Sequence, residues 1–228
     1  VRDEKKAKAV AERIRNSTGN QNIMYKILDL SSREEIFRFA KEWENPLHVL
    51  VNNAATTPRS RQVNRDGIEL QFATNVLGYF WMMQAFSGQL IKSAPSRIVN
   101  VASYWAGGLN MADLEFKKRH YNNDEAYRQS KQANRMLTSA FADKFAGQKV
   151  TVVSCHPGDV NSKLSNDLGF GGHESPDQGA STPVWLSTLP HEELESGKYY
   201  AHHRIESCRF SQNKKEVEKL YEVCNSYT

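Results

Sequence analysis

The 228-residue sequence predicts an α/β domain built on a doubly wound parallel sheet. Three observations lead there. Short apolar runs alternate with helical stretches along the chain, the pattern of repeated strand–helix–strand units. The apolar runs are continuous, as expected of strands covered on both faces. Asn52, Ser103 and the Pro157-Gly158 pair each follow or close one of those runs. They therefore converge on the rim of strand C-termini, where such sheets bind ligands.

The elements follow in order. Residues 3–16 read as a helix with Ala7, Val10, Ala11 and Ile14 on one side. Ile23 to Leu28 reads as a strand. Ser31 or Ser32 is placed to cap a helix that turns Ile36, Phe39 and Trp43 inward. His48 to Val51 is a short apolar strand, and a long helix is expected from about 67 to 90. Arg97 to Ala102 is the next strand, followed by a loop with Gly107-Gly108 and a polar insertion. A helix over 125–146 leads into a strand from Lys149 to Cys155, which His156-Pro157-Gly158 breaks. Residues 159–177 read as irregular. A helix near 178–188, a strand from Lys198 to Ala201 and a helix over 213–224 complete the chain. No repeat or linker divides it, so residues 1–228 are expected to form a single domain.

Composition narrows the function. Hydrophobic residues make up 39% of the chain, enough for a folded core, and the net charge of +4 comes from interleaved acids and bases. The short run Lys5-Lys6-Ala7-Lys8 is better read as a solvated helix face than as a nucleic-acid footprint. No stretch approaches the roughly 18 apolar residues of a membrane span. Cys155, Cys208 and Cys224 form no C-x-x-C pair, which suits a reducing compartment, and no metal site is expected.

Chemistry concentrates at Tyr127 and Lys131. At a spacing of four in a helix, phenol and ammonium share a face. A free tyrosine titrates near ~10, and a fixed cation beside it is expected to lower that value toward the range useful for moving a proton to or from an alcohol oxygen. On its own a Tyr-x-x-x-Lys match can be accidental.

Five segments in order resemble the short-chain dehydrogenase/reductase superfamily. Leu50-Val51-Asn52-Asn53-Ala54-Ala55 resembles its N-N-A-G element, with alanine for glycine. Asn75 stands in Ala73-Thr74-Asn75-Val76-Leu77-Gly78. Ser103 closes Ile98-Val99-Asn100-Val101-Ala102-Ser103. Ala126-Tyr127-Arg128-Gln129-Ser130-Lys131 matches Y-x-x-S-K, and Pro157-Gly158 the P-G pair. Asp66-Gly67-Ile68-Glu69-Leu70-Gln71-Phe72 and Gln129-Ser130-Lys131-Gln132-Ala133-Asn134 resemble the retinol-dehydrogenase-like branch, which includes the WW-domain oxidoreductase.

The resemblance implies a Rossmann-like fold and a hydride transfer between a nicotinamide cofactor and a carbonyl or alcohol. It implies Tyr127 as acid–base group, Ser103 as partner of the same oxygen, Lys131 on the nicotinamide ribose, and Asn75 holding a water that links Lys131 to solvent. Cofactor contacts carry over to Arg2, Asp29, Asn52, Tyr127, Lys131, Pro157, Gly158 and Ser162. Arg2 stands where relatives place a base for the 2′-phosphate, and a guanidinium suits phosphate, so NADP(H) is expected over NAD(H). Plain alternatives remain at several positions: a turn cap for Ser103, a helix-kink residue for Asn75, a surface lysine for Lys131 and a helix-start carboxylate for Asp29.

The family's first strand and T-G-x-x-x-G-x-G loop have no counterpart in the sequence. The expectation is a fold lacking its first strand–helix–strand unit, about 30 residues or more, with weak cofactor binding and low stability. The implied substrate is a small hydroxyl or carbonyl compound, possible classes being retinoids, steroids and other lipids; Trp81, Trp105 and Phe170 are candidates for an apolar pocket, with plain core packing as the alternative. A homodimer through the helices at 67–90 and 125–146 is also implied. The implied location is cytoplasmic, or membrane-associated facing a reducing compartment. Two competing readings are a non-catalytic binding or regulatory protein and a sugar-nucleotide epimerase or dehydratase.

Overall fold

The structure is a computed structural model and describes residues 1–227. Asp3 opens the chain's first helix by accepting from the Lys6 amide. That helix, α1, spans Glu4–Thr18 and buries Ala7 and Ala11 on one face. Ser32, the second of the two expected caps, accepts from the Glu35 amide and starts α2, Arg33–Lys41, which buries Ile36 and Ala40.

Between these helices the expected strand Ile23–Leu28 does not form. The segment is extended but belongs to no sheet. Among the described residues its ladder-like contacts are Leu28 N to Val1 O at 2.9 Å and the Val1 amine to Lys26 O at 3.3 Å. The apolar pattern there is satisfied by Leu28 alone, which is buried, while Met24, Tyr25 and Ile27 stay exposed.

The sheet has five strands in the order β1-β2-β3-β4-β5. Strand β1 (Val49–Asn52) leads across to a helical region in which a π-helical segment, Phe72–Leu77, runs into α3 (Gly78–Ala85), and α4 (Ser87–Lys92) follows a break at Phe86. The single helix expected over 67–90 is thus one element with a widened first part and a break near its end. Strand β2 (Ser96–Val101), the 22-residue α5 (Asn123–Lys144) and β3 (Val150–Cys155) come next. Helices α6 (Lys163–Asp167) and α7 (Pro176–Thr188) precede a hairpin of β4 (Tyr199–Ala201) and β5 (Arg204–Glu206), and α8 (Lys214–Asn225) ends the fold. The first four strands are parallel, and β5 returns antiparallel.

Side-chain alternation along the strands assigns each sheet face its cover. Ile98 and Val152 join Leu77, Phe80, Leu137 and Leu220 under α3, α5 and α8. Val99, Val101, Val153 and Cys155 pack with Leu186 and Tyr200 on the α7 side. Burial of each large apolar side chain contributes about 1.5–3 kcal/mol. Polar bonds lock the layers in register. Asn52 Nδ2 donates to Asn100 Oδ1 at 2.8 Å, and Asn100 Nδ2 donates to Thr138 Oγ1 at 3.0 Å, tying β1 to β2 to α5.

Parallel strands place their C-termini on one rim, so the chain leaves β1, β2 and β3 side by side at residues 53, 102 and 156. Asn122 caps α5 with bonds from the Asp124 and Glu125 amides, and the start of that helix reaches the same rim. All three cysteines are free. Among the described residues no helix is long and apolar enough to cross a membrane.

Candidate active site

At that rim lies a cavity of about 590 Å³, lined among others by Ser103, Tyr127, Lys131, Pro157, Gly158 and Ser162. Six of the residues singled out by sequence thus meet in one cleft. A second cavity of about 560 Å³ holds Arg2 and Asp29, between α1, the extended segment 23–28 and Leu30. Ala54 and Ala55 line both cavities, so the two adjoin beyond the end of β1.

Each side chain has a local reason for its position. Tyr127 and Lys131 lie one turn apart on α5. The Lys131 ammonium is buried, donates to the Val101 carbonyl at 2.7 Å and lies 5.6 Å from the centre of the Tyr127 ring. Burial pushes its pKa down to about 8. Ser103 follows β2 directly, and its Oγ accepts from the Trp105 amide at 3.2 Å, so the turn-cap role is real. The same hydroxyl stands close enough to the Tyr127 phenol to lower its pKa.

The expected depression of the Tyr127 pKa is not what the geometry produces. Burial raises it, the Ser103 hydroxyl offsets part of that rise, and Asp124 and Tyr104 add to it. The lysine cannot counter this effectively while its charge is directed at the Val101 carbonyl and away from the phenol oxygen.

Asn75 is fully buried in the π-helical segment. Its Oδ1 accepts from the Thr56 amide at 2.8 Å and its Nδ2 donates to the Thr56 carbonyl at 3.0 Å. It therefore staples the loop after β1 to the helix, its Nδ2 also donating to Ser130 Oγ at 3.4 Å, and among the described residues no hydrogen bond joins it to Lys131. Asn52 points into the sheet toward Asn100 and lines neither cavity; Asn53 lines the cleft instead. Ser162 lines the cleft while its Oγ caps α6, accepting from the Ser165 amide at 3.2 Å. Asp29 Oδ1 accepts from both the amide and the hydroxyl of Ser31, so it also orders the start of α2.

Two of the three candidate pocket aromatics, Trp105 and Phe170, line the cleft, and several further lining residues escaped sequence reading. The Trp105 and Phe170 rings meet edge-on with centroids 3.7 Å apart, joining the loop after β2 to the loop after α6 across the mouth of the cleft. Leu164, Leu168, Pro183 and Val184 extend this apolar wall. Trp81, a third candidate for an apolar pocket, instead lies in the core and donates to Tyr227 O at 3.3 Å. His156 is buried beside Tyr104, with ring centroids 4.6 Å apart, and burial together with His202 and Arg135 pushes its pKa down to about 4. Its neighbours Pro157 and Gly158 were the available signal. Among the described residues no group of three or more His, Cys, Asp or Glu is placed to hold a metal.

A parallel sheet with a serine, a helix-borne tyrosine and lysine, and a proline–glycine turn around one rim cleft defines an oxidoreductase class. The short chain dehydrogenase family profile matches residues 1–169, and the chain belongs to that family. Within it the chain is retinol-dehydrogenase-like. It is 36% identical over 214 residues to Retinol dehydrogenase 11 of Homo sapiens, covering 88% of this chain and 67% of the relative. The chain spans about two thirds of that relative's length. An uncharacterised protein from Mycobacterium Paratuberculosis superposes with a TM-score of 0.77 at 26% identity, covering 99% of this chain and 82% of the other. An NADPH bound carbonyl reductase from chicken fatty liver shares the fold, with a TM-score of 0.65 at 21% identity over 91% and 85% of the two chains.

Proposed function

We propose that this protein transfers a hydride between NADP(H) and an apolar carbonyl or hydroxyl compound, with Tyr127 as the acid–base residue. The observation that carries the reading is the convergence of Ser103, Tyr127 and Lys131 on one cleft, which adjoins at Ala54 and Ala55 a second cavity holding Arg2 and Asp29. Two adjoining cavities fit a dinucleotide, with Pro157, Gly158 and Ser162 at the nicotinamide half and Asp29 and Arg2 at the adenosine half. The Arg2 guanidinium favours a 2′-phosphate, hence NADP(H). The activities printed for the relatives, retinol dehydrogenase and NADPH bound carbonyl reductase, agree with both assignments.

When bound, the nicotinamide ring supplies or accepts the hydride. The residues of the chain handle the proton. The Tyr127 phenol, its pKa raised by burial, is protonated at neutral pH, which suits it to donate to a carbonyl oxygen when the reaction runs as a reduction. Ser103 is the second donor to that oxygen and holds it in place. Lys131 binds ribose hydroxyls, and leaving the Val101 carbonyl brings its charge to bear on the phenol. Asn75 orders the loop after β1 that lines both cavities. Trp105, Leu164, Leu168 and Phe170 exclude water and select apolar substrates, for which retinoids, steroids and other lipids are the candidate classes.

The test is NADPH consumption by the purified chain over a panel of apolar aldehydes and ketones, repeated with Tyr127→Phe. The expected outcome is turnover that falls about 10²-fold or more in the variant with the circular dichroism spectrum unchanged. Equal turnover in the variant, or none by the parent with any carbonyl, removes the assignment. Tighter binding of NADH than of NADPH removes the role of Arg2.

A further inference from the structure

Helix α5 carries a third residue on the Tyr127–Lys131 face. Arg135 follows Lys131 by four, so the three side chains descend one side of the helix. Lys131 donates to the carbonyl of Val101, and Arg135 Nη2 donates to the carbonyl of Ser103 at 2.5 Å. Successive cations of one helix therefore grip the two carbonyls on either side of Ala102, whose own amide is held by Cys155 O at 2.8 Å. The chain turns immediately afterwards, with the Ala106 amide closing on the same Ser103 carbonyl at 3.3 Å.

Stability alone does not account for this arginine. It is only 6% exposed, and no carboxylate lies within ion-pair distance among the described residues. Its guanidinium stacks 3.5 Å above the Tyr199 ring, and its Nε has no hydrogen-bond partner. Stacking on Tyr199 and on Phe210 offsets part of the cost of burying this charge, yet without a carboxylate partner an apolar side chain of the same length is often the more stable choice. What methionine cannot supply at this position is a donor to the Ser103 carbonyl.

We propose that Arg135 is a positioning residue: by pinning the backbone of Ser103 it sets where the Ser103 hydroxyl stands relative to the Tyr127 phenol. The proposal rests on the reading of Ser103 and Tyr127 as the groups that handle the proton. Arg135 lines neither cavity and touches no substrate; it acts through Ser103.

The test compares Arg135→Met, Arg135→Lys, Ser103→Ala and the Ser103→Ala/Arg135→Met double variant in the full chain. The first readout needs no turnover. With carbonyl-labelled serine and ring-labelled tyrosine, the Ser103 carbonyl and Tyr127 ring carbon are followed by NMR at neutral pH. Arg135→Met is expected to move both resonances, the Tyr127 shift following that of Ser103→Ala, while Tyr25 and Tyr221, which make no contact with the Ser103 turn among the described residues, stay in place. Arg135→Lys, whose shorter head group leaves the carbonyl, moves them in the same direction by less. It decides alone if the methionine variant does not fold. Either folded variant keeping both resonances at parent positions overturns the proposal.

The second readout uses carbonyl reduction. Arg135→Met lowers kcat about tenfold or more, as a displaced reacting group does, with KM within about twofold. Adding it to Ser103→Ala costs nothing further, because residues that act through one another are not additive. Multiplicative losses in the double variant also overturn the proposal. A parent chain without turnover removes the oxidoreductase reading and leaves the NMR comparison to decide the role of Arg135.

Discussion

Lys131 donates to the Val101 carbonyl at 2.7 Å, and its ammonium stands 5.6 Å from the centre of the Tyr127 ring. The pair is close in space yet only weakly coupled in charge. The lysine is spent on a backbone carbonyl, and the phenol's elevated pKa follows from its own burial.

Lys131 should destabilise the fold in a pH-dependent way. Its folded pKa is about 8 against 10.5 unfolded, so between those values the unfolded chain binds more protons and parent stability climbs with pH. The penalty is fully present below pH 8. Lys131→Met removes it, up to about 3 kcal/mol, less about 1–3 kcal/mol for the lost bond to Val101 O. Urea unfolding is expected to find Lys131→Met more stable than the parent at pH 7, with the difference shrinking toward pH 10. A methionine variant equally destabilised at both values contradicts this.

Asn75 should matter to stability independently of any proton relay. Both polar atoms of its amide bond to the Thr56 backbone. Asn75→Ala leaves two main-chain groups without partners, for a loss of about 2 kcal/mol or more. Asn75→Asp keeps the acceptor but replaces the donor, so it is expected to fall between parent and alanine in denaturant midpoint only if the new carboxylate is tolerated. At low pH, where that carboxyl can donate, the aspartate variant should recover toward the parent.

Gly78 is required by a neighbour and not by its own backbone angles. A Cβ there would lie 2.6 Å from the Leu30 carbonyl oxygen, a backbone atom that cannot turn aside. Gly78→Ala improves helix propensity by about 1 kcal/mol, yet the overpacking costs about 1–3 kcal/mol. The clash is predicted to win. A denaturant midpoint at or above that of the parent would mean that α3 and Leu30 separate more easily than this packing implies.

The Trp105–Phe170 contact should select substrates by size. Trp105→Ala opens the mouth and removes apolar wall, so KM for bulky apolar carbonyls should rise several-fold. Short aldehydes, which do not reach that wall, should be little affected. An equal effect on both classes would point to a general disturbance of the Ser103 loop.

Sequence patterns determined the elements whose signals are local. The continuous apolar runs of β2 and β3 survive with end points shifted by at most one residue, because burial on both faces leaves no other use for them, and β1 survives likewise although its Val51 stays exposed. The four-residue spacing of Tyr127 and Lys131 needs only a helix to bring them onto one face, and the conjunction with Ser103 and Pro157-Gly158 needs only parallel strand ends. Tertiary structure decided what depends on partners distant in the chain. Ile23–Leu28 has a strand's composition but no strand beside it to complete a ladder. The β4–β5 hairpin turns through His202 and His203 at φ 50° and 60°, without the glycine or asparagine that usually marks such turns. The acceptor of Lys131, the hold of Arg135 on Ser103 and the direction of the Tyr127 pKa shift are set by contacts 30 or more residues apart or by burial. Periodicity specifies which residues share a face; only the packed fold specifies which charge meets which carbonyl, because that depends on distances no spacing in the sequence encodes.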